Sequence, residues 1–85
     1  MKLNFFTDPG HGWVEVPISL VRELNIANKI SHYSYRKHNL AFLEEDCDAG
    51  LLIEALKARG DSIELVEINE PNRESFVRNL PRFFH

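Results

Sequence analysis

An 85-residue chain that is 44% hydrophobic and 27% charged has the mix of an ordinary globular protein, which excludes disorder, collagen-like repeats and a coiled coil. It is long enough for one α+β-sized domain spanning residues 1–85, whose folding buries about 64% of the unfolded surface; a deep cleft walled by a second domain is out of reach. The net charge of −3 is uneven, with five Lys/Arg against three Asp/Glu in residues 1–43 and five against ten in residues 44–85, which does not suit general phosphate binding.

Lys2-Leu3-Asn4-Phe5-Phe6 alternates polar and apolar residues and predicts a short strand. Thr7 to Gly12 predicts a turn, with Asp8-Pro9 starting it and Gly10 and Gly12 supplying positive φ. Trp13 to Val16 predicts a second strand, antiparallel to the first. Pro17 suits the first turn of a helix over about 17–24, where its missing N–H costs nothing. Leu20, Val21 and Leu24 share one face of that helix, and Asn25 takes a left-handed cap with Ile26 closing over it.

Ile30 to Tyr35 is dense in β-branched and aromatic residues, and Asn39 to Glu44 is the next candidate strand. Arg36-Lys37-His38-Asn39 between them predicts a second hairpin with a basic turn. The clearest helix follows, capped by Asp46 or Asp48, with Cys47, Leu51, Leu52, Ala55 and Leu56 as its apolar stripe and Gly60 ending it. Ser62 to Ile68 predicts a final strand. A short helix over about 73–80 turns Phe76, Val77 and Leu80 inward until Pro81 stops it. The expected order is ββαββαβα: a single α+β domain, an antiparallel-rich sheet with helices packed mainly on one face.

The loop Asp8-Pro9-Gly10-His11-Gly12-Trp13 is the most unusual local feature. It offers either an exposed imidazole that reads a ligand or moves a proton, or a plain turn whose Trp anchors the core. With two glycines and no helix behind them, it is not a dinucleotide loop. Period two places Tyr33 and Tyr35 on one face, beside Arg36 and Lys37. Such a patch suits a protein partner, where Tyr and Arg are enriched, or stacking on single-stranded bases. The net negative charge favours the protein partner.

The acidic run Glu44-Glu45-Asp46-Cys47-Asp48 lacks calcium-loop spacing, and helix capping accounts for two of its acids, so no metal and no cofactor is expected. One cysteine rules out an internal disulfide framework and fits a reducing compartment. Cys47 on an apolar stripe is a core thiol sooner than a nucleophile. Too few apolar residues precede Asp8 for a signal peptide, and the longest apolar run, Leu40 to Leu43, spans no membrane. A cytoplasmic location is therefore expected.

Thr7-Asp8-Pro9-Gly10-His11-Gly12-Trp13, Lys29-Ile30-Ser31 with Tyr33-Ser34-Tyr35, Phe42-Leu43-Glu44-Glu45-Asp46-Cys47-Asp48-Ala49 and Ser75-Phe76-Val77-Arg78 resemble segments of a group of small proteins carried by bacteriophages and plasmids. The resemblance implies a prokaryotic mobile-element setting and carries over no catalytic or binding residue. The function expected is a non-enzymatic accessory module binding a host or phage protein through His11, Trp13, Tyr33, Tyr35 and Arg36. The alternatives are a single-stranded nucleic-acid binder using residues 33–38, and a small enzyme with His11 as general base beside Asp8 or Glu44. An open sheet edge and the apolar Phe83-Phe84 tail add self-association to a homodimer as an expectation.

Overall fold

The structure is a computed structural model and describes residues 1–83. The strands are β1 (Lys2–Thr7), β2 (Gly12–Pro17), β3 (Tyr35–Lys37), β4 (Leu40–Glu44) and β5 (Glu64–Asn69). The helices are α1 (Ile18–Glu23), between β2 and β3, and α2 (Ala49–Ala58), between β4 and β5. Short 3-10 turns occupy Ala27–Lys29 and Phe76–Asn79. The five strands form one mixed sheet in the order β3-β4-β2-β1-β5, antiparallel except where β5 runs parallel to β1. The protein is thus a small α+β domain. No helix among the described residues is long and apolar enough to cross a membrane.

Strand alternation divides the apolar residues between two faces. Leu3, Val14, Val16, Ala41 and Leu43 pack with Ile18 and Val21 of α1 and Ala49, Leu52 and Leu56 of α2. The residues one step out of phase build a second cluster of Trp13, Tyr35, Phe42 and Val77, flanked by Phe6, Leu40 and Leu80. Residues 75–82 therefore cover the second face, before Phe83 turns into the larger cluster. They do so as an irregular strap with one 3-10 turn, in place of the helix expected over 73–80. Val77 is fully buried, whereas Phe76 is half exposed and meets Phe6 and Phe42 edge-on at 5.1 and 5.9 Å. The strap ends along the β3 edge, where Tyr35 bridges Arg82, Arg36 N–H donates to Pro81 O and Phe83 N–H to Ser34 O. Phe83 is buried in the larger cluster; Phe84 lies outside the described residues.

Three further expectations change. The strand expected over Ile30 to Tyr35 begins only at Tyr35, because Ser31 and Ser34 turn the chain toward Asp48. Cys47 precedes α2 and is exposed rather than on its apolar stripe. Gly10 and Gly12 do not take positive φ; among glycines only Gly60 does, at 89° past the end of α2. They are needed for close approach instead. A Cβ on Gly12 would lie 2.7 Å from Phe5 Cζ, and one on Gly10 2.8 Å from Arg78 Nη2. Asn25 takes the left-handed cap after α1, at φ 59°, as its short polar side chain permits.

Candidate functional site

Two buried aspartates fix the loops at one end of the sheet. Asp8 leaves β1 with its carboxylate fully buried and gathers five donors. Gly10 and His11 N–H donate to Oδ1 at 3.0 Å each, and Ser75 N–H to Oδ2 at 2.9 Å. The Arg78 guanidinium closes a bidentate fork, Nε to Oδ2 at 2.6 Å and Nη2 to Oδ1 at 3.0 Å. That fork, against the opposing effect of burial and with help from the backbone donors, holds the Asp8 carboxyl far below the usual carboxylate range. Arg78 also lies 5.3 Å over the Trp13 ring. The strap is thereby riveted to the β1–β2 loop.

Asp48 does not cap α2 with its side chain, although it stands at the N-cap. Its Oδ1 accepts from Ser31 N–H at 3.1 Å, and its Oδ2 from the hydroxyls of Ser31 and Ser34. Ser34 Oγ in turn accepts from Glu44 N–H at 3.0 Å. This buried network ties residues 31–34 to the β4–α2 turn and sets where Tyr33 and Glu44 sit.

Between these two anchors opens a cleft of about 270 Å³ lined by His11, Trp13, Tyr33, Tyr35, Glu44, Asp46, Cys47, Arg78 and Arg82. All four sequence segments singled out for their resemblance contribute to it or to its anchors. On one side His11 Nδ1 is 3.4 Å from the buried Glu44 carboxylate, which accepts Asp46 N–H on both oxygens at 3.1 and 2.9 Å. On the other, Arg82 lies 4.5 Å over the Tyr35 ring. Trp13 is buried, and its indole N–H has no acceptor among the described residues. Loss of water on its protein side, then the carboxylates of Glu44, Asp48 and Asp46, push the Cys47 thiol above its ordinary value. That is the opposite of what a nucleophilic cysteine needs. His11, Glu44 and Asp46 each offer a ligand atom within 4.8 Å of the others, a donor set suited to a divalent cation, though exposed acids commonly stand so without one.

Of the residues expected from sequence, His11, Trp13, Tyr33 and Tyr35 line the cleft. Tyr35 is buried beneath Arg82 and edge-on to Trp13, while Tyr33 is exposed and stacked on His32. The two tyrosines do not form a paired outer face, because the chain turns rather than runs straight between them. Arg36 lies away from the cleft and donates to His38 O. Asp8 meets the His11 backbone rather than its imidazole; Glu44 is the acid beside the ring. Spacing alone does not single out Arg78 or Arg82: with Arg73 they are spread across the last expected helix and its end, which reads as a solvated face. Comparison of the chain with protein families, with curated proteins and with solved structures returns no match.

Proposed function

We propose that the protein is a small interaction module that grips a basic side chain of a protein partner in the His11–Arg82 cleft. The observation that carries this is the charge division of the cleft. Arg78 is neutralised by its ion pair with Asp8, and the rest of the lining sets the single cation Arg82 against the two carboxylates Glu44 and Asp46. The lining therefore carries a surplus of one negative charge, in a cleft that also holds the exposed ring of Tyr33. A lysine or arginine side chain satisfies the acid and stacks on the ring. A phosphate would meet Glu44 and Asp46 first. The volume falls just short of the roughly 300 Å³ at which drug-sized ligands begin to fit, and suits one or two side chains.

The protein's single tryptophan makes its indole N–H one assignable signal. Titration with short arginine-, lysine- and glutamate-centred peptides, with EDTA present, is expected to shift that signal with the basic peptides only. The shift is expected to vanish in a Glu44→Gln, Asp46→Asn double variant. An unmoved indole signal, or equal response to the glutamate peptide, refutes the proposal. Setting and location follow the resemblance: a cytoplasmic accessory protein of a phage or plasmid, with a host or phage protein as partner.

A second reading rests on the 3.4 Å His11–Glu44 pair, since an imidazole oriented by a buried carboxylate is a general-base arrangement. It expects hydrolysis of activated esters that is abolished by His11→Gln. No turnover above buffer with the wild type ends it. The nucleic-acid alternative has less to rest on, because the buried Tyr35 leaves only Tyr33 and His32 as a stacking platform.

A further inference from the structure

The sheet has two edges, and they are treated differently. Along β3 the strap supplies backbone partners through Pro81, Arg82 and Phe83. Along β5 no strand of the described residues lies outside, and all six residues from Glu64 to Asn69 are exposed. Leu65, Val66 and Ile68 are 39%, 39% and 43% exposed. Neither proline nor lysine interrupts this strand and no bulge twists it away, so the charges of Glu64 and Glu67 are what guards this edge, and a pairing must place them away from each other.

The backbone says which groups face outward. Glu64 N–H donates to Met1 O and Glu70 N–H to Thr7 O, so even-numbered residues turn their backbone groups toward β1. Leu65, Glu67 and Asn69 turn theirs toward open space. We propose that β5 pairs antiparallel with β5 of a second copy, about a twofold axis perpendicular to the sheet that passes beside Val66. Such an axis keeps each residue on its own face, so paired residues share parity and the outward N–H and C=O groups of odd residues meet one another. Two registers overlap the strand equally well. One centres on Glu67 and sets it against its twin, with Glu64 against Glu70. The other centres on Val66 and sets Glu64 against Ile68, Leu65 against Glu67 and Val66 against Val66. Only the second sets no carboxylate directly opposite another, leaving Glu67 and its twin as diagonal neighbours, and like charges directly opposite are destabilising. The outcome is a continuous ten-strand sheet with α1 and α2 of both copies on the same face.

The test uses the full chain with Cys47→Ser, so that the native exposed thiol does not confuse crosslinking. Light scattering after size exclusion is expected to give a dimer. Val66→Lys sets two ammoniums across the axis and is expected to raise the dissociation constant by roughly tenfold or more. Circular dichroism is expected to stay native, because Val66 is already exposed. Val66→Cys brings two Cα atoms to about 4.5 Å, within disulfide range, and is expected to crosslink on mild oxidation. Glu67→Cys, facing Leu65, is expected not to. A monomer at all concentrations overturns the proposal, as does a dimer that Val66→Lys leaves intact; crosslinking through Glu67→Cys in place of Val66→Cys overturns its register.

Discussion

Asp8→Asn isolates the most consequential polar contact in the protein. Five N–H groups converge on the Asp8 carboxylate, and its two oxygens accept them all as an anion. An asparagine keeps one acceptor oxygen and turns an NH₂ toward the remaining donors. Breaking a buried ion pair by removing one partner costs about 3–5 kcal/mol. Arg78 retains 27% of its side-chain exposure and can be rehydrated, so the lower half of that range, about 3 kcal/mol, is expected at pH 7. For a domain of this size that is a large fraction of the roughly 4–13 kcal/mol available, and about 12–24 °C in Tm. The loss is expected to vanish with pH in a defined direction. Asp8 has a depressed folded-state value, so its stabilisation is fully present above the ordinary carboxylate value of 3.8 and fades as pH falls below it. Urea denaturation from pH 7 to pH 2 is expected to show wild type and Asp8→Asn converging only below about pH 4. Arg78→Ala and the double variant complete a cycle with a coupling of about 2 kcal/mol. A penalty under 1 kcal/mol at neutral pH, or strict additivity of the two substitutions, refutes the clamp.

The remaining predictions concern packing, the second aspartate and the thiol. Gly12→Ala is expected to destabilise by about 1–3 kcal/mol in thermal melts, because its methyl meets the Phe5 ring and Glu45. Gly50→Ala, with open space around it inside α2, is expected to stabilise by about 0.5–1 kcal/mol. Ser34→Ala removes a donor to Asp48 and strands the buried Glu44 N–H, for an expected loss of about 1–3 kcal/mol and a displaced Tyr33 signal in NMR spectra. Cys47, exposed but with its thiol pushed up, is expected to alkylate more slowly than glutathione at pH 7 and to speed up in Glu44→Gln; a faster rate than glutathione contradicts that electrostatic account.

Alternation and caps made much of the fold legible in the sequence. Val14 and Val16 against Trp13, the Asn25 cap and the Gly60 stop each express a local rule that tertiary contacts leave in force. What was not legible depended on partners distant in the chain. Ser31 and Ser34 sit in a β-rich run, and only Asp48 explains why it turns. Phe76-Val77 has helical spacing, yet residues 75–83 give their backbone groups to Asp8, Ser34 and Arg36. In the cleft, His11 and Trp13 were visible because two glycines around a histidine are unusual. Glu44 beside His11 was one of two acids considered. Arg78 became meaningful only through an aspartate 70 residues away.

That separation bears on how the protein is made. β1 is held on one side by β5 and at its end by Arg78, so on the ribosome Asp8 waits as an uncompensated carboxylate until residue 78 has left the exit tunnel. The earlier portion can draw together its helices and the central hairpin, but its cleft stays unassembled. A nascent chain, or one cut before the strap, therefore exposes Trp13 and Phe42, a ready signal for chaperones and proteases, which a chain carrying residues 75–83 covers.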